Sequence, residues 1–199
     1  MSFSRNLLFA SLLSCAFSCA QPGVEYKPTI RLGGVIADSV EAEVNALGYS
    51  ISGDSDYSSV EVGIGTAAYE EGVLKRLAEV VIAKSTYQEA DALEISGGGR
   101  FFFSSSQQFS PYFGLYLVST IFDDLDYVDP FLGPTSFSPG VQVGLRLGLG
   151  AEFRLNEQFF IDTSLRYLVP LEPAKSDTYP GIDTEVSGMS LEVGVGFEF

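Results

Sequence analysis

From Gly188 to the C-terminus the chain alternates without interruption. Met189, Leu191, Val193, Val195, Phe197 and Phe199 are large and apolar, whereas Ser190, Glu192, Gly194, Gly196 and Glu198 between them are small or charged. A period of two marks a strand with two unlike faces. Residues 141–155 repeat the pattern. Val141, Val143, Leu145, Leu147, Leu149, Ala151, Phe153 and Leu155 share one face, and Gln142, Gly144, Arg146, Gly148, Gly150, Glu152 and Arg154 share the other. Asn156-Glu157-Gln158 forms a tight turn. The chain then returns over residues 159–169, with Phe159, Ile161, Leu165, Tyr167 and Val169 opposite Asp162, Ser164 and Arg166. Phe160 and Leu168 interrupt the polar face near its ends, and Pro170 ends the strand.

Earlier strands alternate less cleanly. The pattern predicts them at residues 29–37, 44–52, 59–69, 93–103 and 111–122, which with the last three (141–155, 159–169 and 185–199) makes eight. Residues 70–92 read either as a long loop holding a short amphipathic helix on Leu74, Leu77 and Val81, or as part of a strand. On this layout 53–58, 104–108 and 156–158 are short turns, and 70–92, 123–140 and 171–184 are long loops. Only the first connection, 38–43, breaks the alternation of long and short by being short. Short turns on one side and long loops on the other are characteristic of outer-membrane barrels, and an even strand count puts both termini on the periplasmic side. The expected fold is all-β: an eight-stranded antiparallel transmembrane barrel of up-and-down meander type.

The polar faces decide which way such a barrel is turned. A soluble barrel is apolar inside and polar outside; a membrane barrel inverts this. On these registers Arg31, Arg100, Arg146, Arg154 and Arg166 share the polar face with Glu61, Glu94, Glu152, Asp162, Glu192 and Glu198. That near balance stands out in a chain whose net charge is −15. Solvent does not demand such balance, but a narrow lumen does, because an unpaired buried charge is costly. These side chains are therefore expected to form lumen ion pairs, with Glu152 or Glu192 facing Arg146. The interleaved glycines leave them room. Phe101, Phe103, Phe113, Phe153, Phe159, Tyr167, Phe197 and Phe199 lie toward strand ends, as interfacial aromatic girdles do.

The 199 residues suffice for one domain, and no run of 18 apolar residues follows residue 20. The acidic balance argues against nucleic-acid binding. Arg5, the apolar stretch 7–17 and Ser18-Cys19-Ala20 read as a signal peptide over residues 1–20, leaving a barrel domain at 21–199. A rival reading takes Leu12-Leu13-Ser14-Cys15 as a lipidation signal, and attachment at Cys15 or Cys19 stays open. Cleavage after Ala20 leaves a mature chain without cysteine, which suits an oxidising envelope.

Three stretches resemble the small outer-membrane barrels of the outer-membrane protein A, X and W type: Val195-Gly196-Phe197-Glu198-Phe199, the hairpin from Gly148 to Tyr167, and Ser110-Pro111-Tyr112-Phe113-Gly114-Leu115. The resemblance is good over 92–199 and thin over 24–91. It implies that Val195, Phe197 and Phe199 form a signal for the barrel-assembly machinery. The other partners expected are outer-membrane lipid and lipopolysaccharide, for a monomer. No peptidoglycan-binding domain is expected after Phe199.

Chemistry is sparse. Histidine is absent, which removes the usual general base near neutral pH and argues against the reactions of the familiar outer-membrane enzymes, whose families have a histidine at the active site. Gly97-Gly98-Gly99 lacks the Lys and Ser/Thr of a phosphate loop. Asp123, Asp124, Asp126 and Asp129 lack EF-hand spacing and read as a solvated loop rather than a Ca²⁺ site. No catalytic residue, metal site or cofactor is expected. The leading function is a structural or surface-interaction role. The alternatives are a narrow channel for ions or small solutes, and a surface adhesin or cation-binding barrel.

Overall fold

The computed structural model describes residues 23–46, 49–87, 90–103, 108–129, 133–137, 139–176 and 181–199. The signal peptide expected at 1–20, with Cys15 and Cys19, lies outside the described residues. Among those described there are twelve strands and no helix. Eight strands build the wall: β1 (Val24–Ala46), β3 (Tyr57–Glu70), β4 (Val73–Tyr87), β5 (Ala90–Phe102), β6 (Phe109–Phe122), β9 (Val141–Arg154), β10 (Phe159–Glu172) and β12 (Ile182–Glu198). Each pairs antiparallel with the next, and β12 closes onto β1 from Thr29↔Glu198 to Ala46↔Ile182. Closure satisfies the backbone groups of the wall, the condition for a sheet surrounded by hydrocarbon. The remaining strands are short: β2 (Tyr49–Ser55) on the upper part of β1, a hairpin of β7 (Leu125–Asp129) with β8 (Gly133–Phe137), and β11 (Ala174–Lys175) beside β12.

The strand number matches expectation, but two of the strands differ. Residues 29–37 and 44–52 are not separate strands joined by a turn at 38–43. β1 runs unbroken through 38–43, with Ile36 bulged out of its ladder to β12. One inserted residue exchanges the faces of everything beyond it, so the alternation reverses there and reads as a break. The expected turn at 53–58 is likewise strand except at Asp56, which separates the end of β2 from the start of β3. Nor is 70–92 a long loop or a helix. Glu71 and Gly72, both with positive φ (54° and 77°), turn the chain tightly into β4. Lys75 is the extra residue of a second bulge. Leu74 and Leu77 both point inward on either side of it, which reproduces helical spacing on a strand. With these corrections the anomalous short connection at 38–43 disappears.

The wall is turned inside out relative to a soluble protein. Ile64 (61% exposed), Leu149 (60%), Val195 (56%), Ile82 (52%) and Leu165 (50%) point outward, whereas Arg31, Glu61, Arg100, Asp162 and Glu192 are nearly fully buried. An apolar surface this continuous is untenable in water and natural in lipid. Phe103, Phe109, Phe153, Phe159 and Phe199 crowd around the end that holds both termini, here the near end. Edge-to-face contacts join Phe159 to Phe197 (4.8 Å) and Phe197 to Phe199 (4.7 Å).

Candidate functional site

The interior is the part of the molecule with organised chemistry. Inward positions of the eight wall strands fill it in three tiers. At the near end the Glu198 carboxylate accepts hydrogen bonds from Tyr69 Oη (2.6 Å) and Arg154 Nη2 (3.0 Å), with Lys27 Nζ 3.5 Å away. These groups line an open vestibule of about 820 Å³, which also reaches Ser110, Leu74 and Asn156. The Arg154 guanidinium also lies 5.8 Å from the centre of the Phe160 ring, which packs against the bare backbone of Gly196.

The middle tier is a lattice of ions. Arg100 donates from Nε to Glu79 (2.8 Å) and lies 3.0 Å from Asp162 and 3.3 Å from Glu152 through Nη1. Its guanidinium also sits 4.8 Å over the Tyr112 ring, and Tyr112 Oη donates to Asp162 (2.7 Å). Arg166 bridges Glu61 (3.0 Å) and Glu192 (2.5 Å). Arg31 contacts Glu61, Asp162 (3.5 Å) and Glu79 (3.7 Å). Each arginine of this tier faces at least two carboxylates, and sharing partners offsets part of the cost of burying them.

Toward the far end, Arg146 pairs with Glu94, which also accepts from Tyr87 Oη (2.6 Å) and Tyr57 Oη (3.1 Å). Above them Val40, Tyr57, Tyr87, Ala92, Phe122, Ala174 and Val186 form an apolar cluster. The Tyr57 and Tyr87 rings stack at 4.7 Å, and Phe122 tilts against Tyr87 at 5.7 Å. The Gln142 amide bonds the Val186 backbone in both directions, at 2.9 and 2.7 Å.

All of Arg31, Arg100, Arg146, Arg154, Arg166, Glu61, Glu94, Glu152, Asp162, Glu192 and Glu198 therefore lie on the inner face. The pairing expected for Arg146 needs correction: its partner is Glu94, while Glu192 belongs to Arg166 and Glu152 to Arg100 and Arg154. Glu79 was missed because it lies beyond the Lys75 bulge, on a strand whose inward Leu77, Val81 and Ala83 hide the polar face. The inward tyrosines were missed too, since an aromatic residue at a strand end suits either face. The one usable signal was the β-branched run Val80-Val81-Ile82, which favours strand over helix. Val195, Phe197 and Phe199 sit at the near end of β12, Val195 and Phe199 pointing outward. Asp123 and Asp124 are exposed at the far end, and Asp126 and Asp129 belong to β7.

A closed antiparallel barrel with an apolar exterior and a salt-bridged interior defines a small transmembrane β-barrel protein. Residues 8–199 match the family model described as the outer membrane protein beta-barrel domain, and the chain belongs to that family. Its place is accordingly the bacterial outer membrane. The fold is similar to Neisserial surface protein A, at 13% identity and TM-score 0.53, covering 89% of this chain and 99% of that one. It is similar also to the N-terminal barrel domain of OprF from Pseudomonas aeruginosa (14%, 0.51, 88% and 100%) and to the outer membrane protein AlkL in lipid bilayers (15%, 0.54, 92% and 95%). No curated protein matches the sequence.

Proposed function

We propose that this chain is a non-conducting, non-enzymatic barrel that works through the surface it presents at its far end. The occluded interior carries the reading. A path along the axis meets the Arg100–Glu79–Asp162 lattice and then the stacked Tyr57, Tyr87 and Phe122 rings. An eight-stranded barrel is only wide enough for its own side chains. Charge placement adds to the argument. Among the residues whose side chains are described the far end carries eleven carboxylates (Asp38, Glu41, Glu43, Asp54, Asp56, Asp91, Asp123, Asp124, Glu172, Asp183 and Glu185) against Lys84 and Lys175. The near end is close to balanced, with Glu25, Glu70, Glu71 and Glu157 against Lys27, Lys75 and Arg76. The longer far-end connections face outward in this reading, and both termini face the periplasm, following export by the signal peptide. There Val195, Phe197 and Phe199 engage the assembly machinery.

Planar-bilayer recording of the purified protein tests the reading. A flat baseline is expected, and stable single-channel steps would replace it with the channel alternative.

A further inference from the structure

The vestibule lies at the near end, opposite the proposed interaction surface, and its polar groups are arranged in advance of any ligand. Lys27 on β1 and Arg154 on β9 share the buried Glu198 carboxylate, at 3.5 and 3.0 Å. Both cations also lie against the Tyr69 ring, 4.9 and 5.5 Å from its centre. The shared carboxylate and the aromatic face together hold the two positive charges in place. Tyr69 is fixed in turn, because its hydroxyl donates to Glu198 (2.6 Å).

Two independent features point to a ligand. The first is charge. Lys27 and Arg154 meet one fully buried carboxylate between them. Glu152, 3.7 Å from Arg154, is also held by Arg100 at 3.3 Å, and Glu25, 3.9 Å from Lys27, is 65% exposed. The floor of the vestibule therefore keeps a surplus of positive charge. The second is the Ser110 hydroxyl. It lines the cavity at 1% exposure and has no hydrogen-bond partner among the described residues. A buried hydroxyl normally has one. The outer part of the cavity differs in character. Glu71 and Glu157, in the β3–β4 and β9–β10 turns, make the mouth acidic, and Leu74 supplies a buried apolar wall. Asn156 Oδ1 is taken up by the N–H groups of Gln158 and Phe159 (2.9 and 2.8 Å), which leaves its amide nitrogen as a donor.

We propose that the vestibule binds a short peptide whose two ends are both free. Its terminal carboxylate accepts hydrogen bonds from Arg154, Lys27 and the Ser110 hydroxyl. Its last side chain, apolar, packs on Leu74, and its ammonium end lies at the mouth with Glu71 and Glu157. A carboxylate suits the floor better than a phosphate, whose second negative charge would exceed the surplus beside Glu198. The volume of about 820 Å³ lies toward the upper end of the roughly 300–1,000 Å³ of small-molecule sites, which favours a peptide over a single amino acid. In the proposed orientation the mouth faces the periplasm, so peptide-bond hydrolysis in that compartment must supply the ligand. The inference goes beyond the surface-interaction reading above and does not depend on it.

The test uses the full barrel in phosphatidylcholine nanodiscs, which leave both ends open to buffer. The probe is the tripeptide Ala-Ala-Leu, compared with its C-terminal amide, its N-acetyl form and sodium acetate. NMR titration of backbone amides reads affinity and place together. The free peptide is expected to bind with a Kd of about 1 mM or tighter, and all three comparison compounds at least about tenfold more weakly. The shifts should fall on Lys27, Ser110 and the turns at Glu71 and Asn156. Ser110→Ala should weaken binding several-fold and leave the urea midpoint unchanged, because its hydroxyl has no bond to lose in the empty barrel. Arg154→Gln should abolish binding, but it strands Glu198, so the serine variant is the deciding one. Equal binding of free and blocked peptides would overturn the proposal, as would acetate binding as tightly. So would shifts at the far end, no binding at about 10 mM peptide, or a Ser110→Ala barrel that binds like the parent.

Discussion

Single residues in the wall act through whichever face they occupy. A Cβ added at Gly196 would run into the Phe160 ring, whereas one at Gly97 would meet nothing within 4 Å. Gly196→Ala should cost about 1–3 kcal/mol in urea titration of vesicle-folded protein, as overpacking does. Gly97→Ala should stay within about 0.5 kcal/mol. Arg146→Leu strands Glu94, so it should cost on the order of 3 kcal/mol, and adding Glu94→Gln should recover part of that. Glu192→Gln should give no such rescue, because Glu192 faces Arg166. Leu147 neighbours Arg146 in sequence but lies on the lipid face, paired with Tyr167. Leu147→Arg should cost about 2–4 kcal/mol if it sits near the bilayer midplane, and no change inside the lumen should relieve it. Folding equal to the parent would mean that residue 147 does not face lipid.

Whole strands differ in how plainly the sequence announced them. β9, β10 and β12 were legible because their faces differ sharply: Leu147 and Val193 on one side, Arg146 and Glu192 on the other. β4 was not, because Val80, Val81, Ile82 and Ala83 are apolar on both faces. The bulges at Ile36 and Lys75 broke the period locally, and a sequence carries no direct mark of one inserted residue. The interior was legible wherever a charge interrupted an apolar alternation, which is why Glu79 alone among its carboxylates escaped. At this scale the proposed assembly signal can be tried. Deleting Phe199 should lower the yield of folded barrel in cells far more than deleting one residue of the connection between β6 and β9. Equal yields would remove the terminal strand from that role.

Taken whole, the described wall is a hydrogen-bonded cylinder in which each of the eight strands is paired on both sides, β12 closing onto β1. Such a structure resists detergent until heated. The protein should fractionate with outer membranes and migrate faster on gels before boiling than after. Recovery from the soluble periplasm would contradict the fold's orientation of apolar and polar faces.

The lopsided charge of the two ends bears on how the barrel reaches its place. One end must traverse the hydrocarbon during insertion, and a side-chain charge at mid-bilayer costs about 2.5–3.5 kcal/mol even by translocation-based scales. In the proposed orientation the end that makes the crossing is the one crowded with carboxylates, such as Glu41, Asp54 and Asp183. Spontaneous entry into a plain vesicle should therefore be slow, and amide replacements at those three positions should quicken it without altering the finished barrel's urea midpoint. In the proposed orientation, the rim offered to a partner outside the cell would also be the feature that calls for a catalyst of insertion.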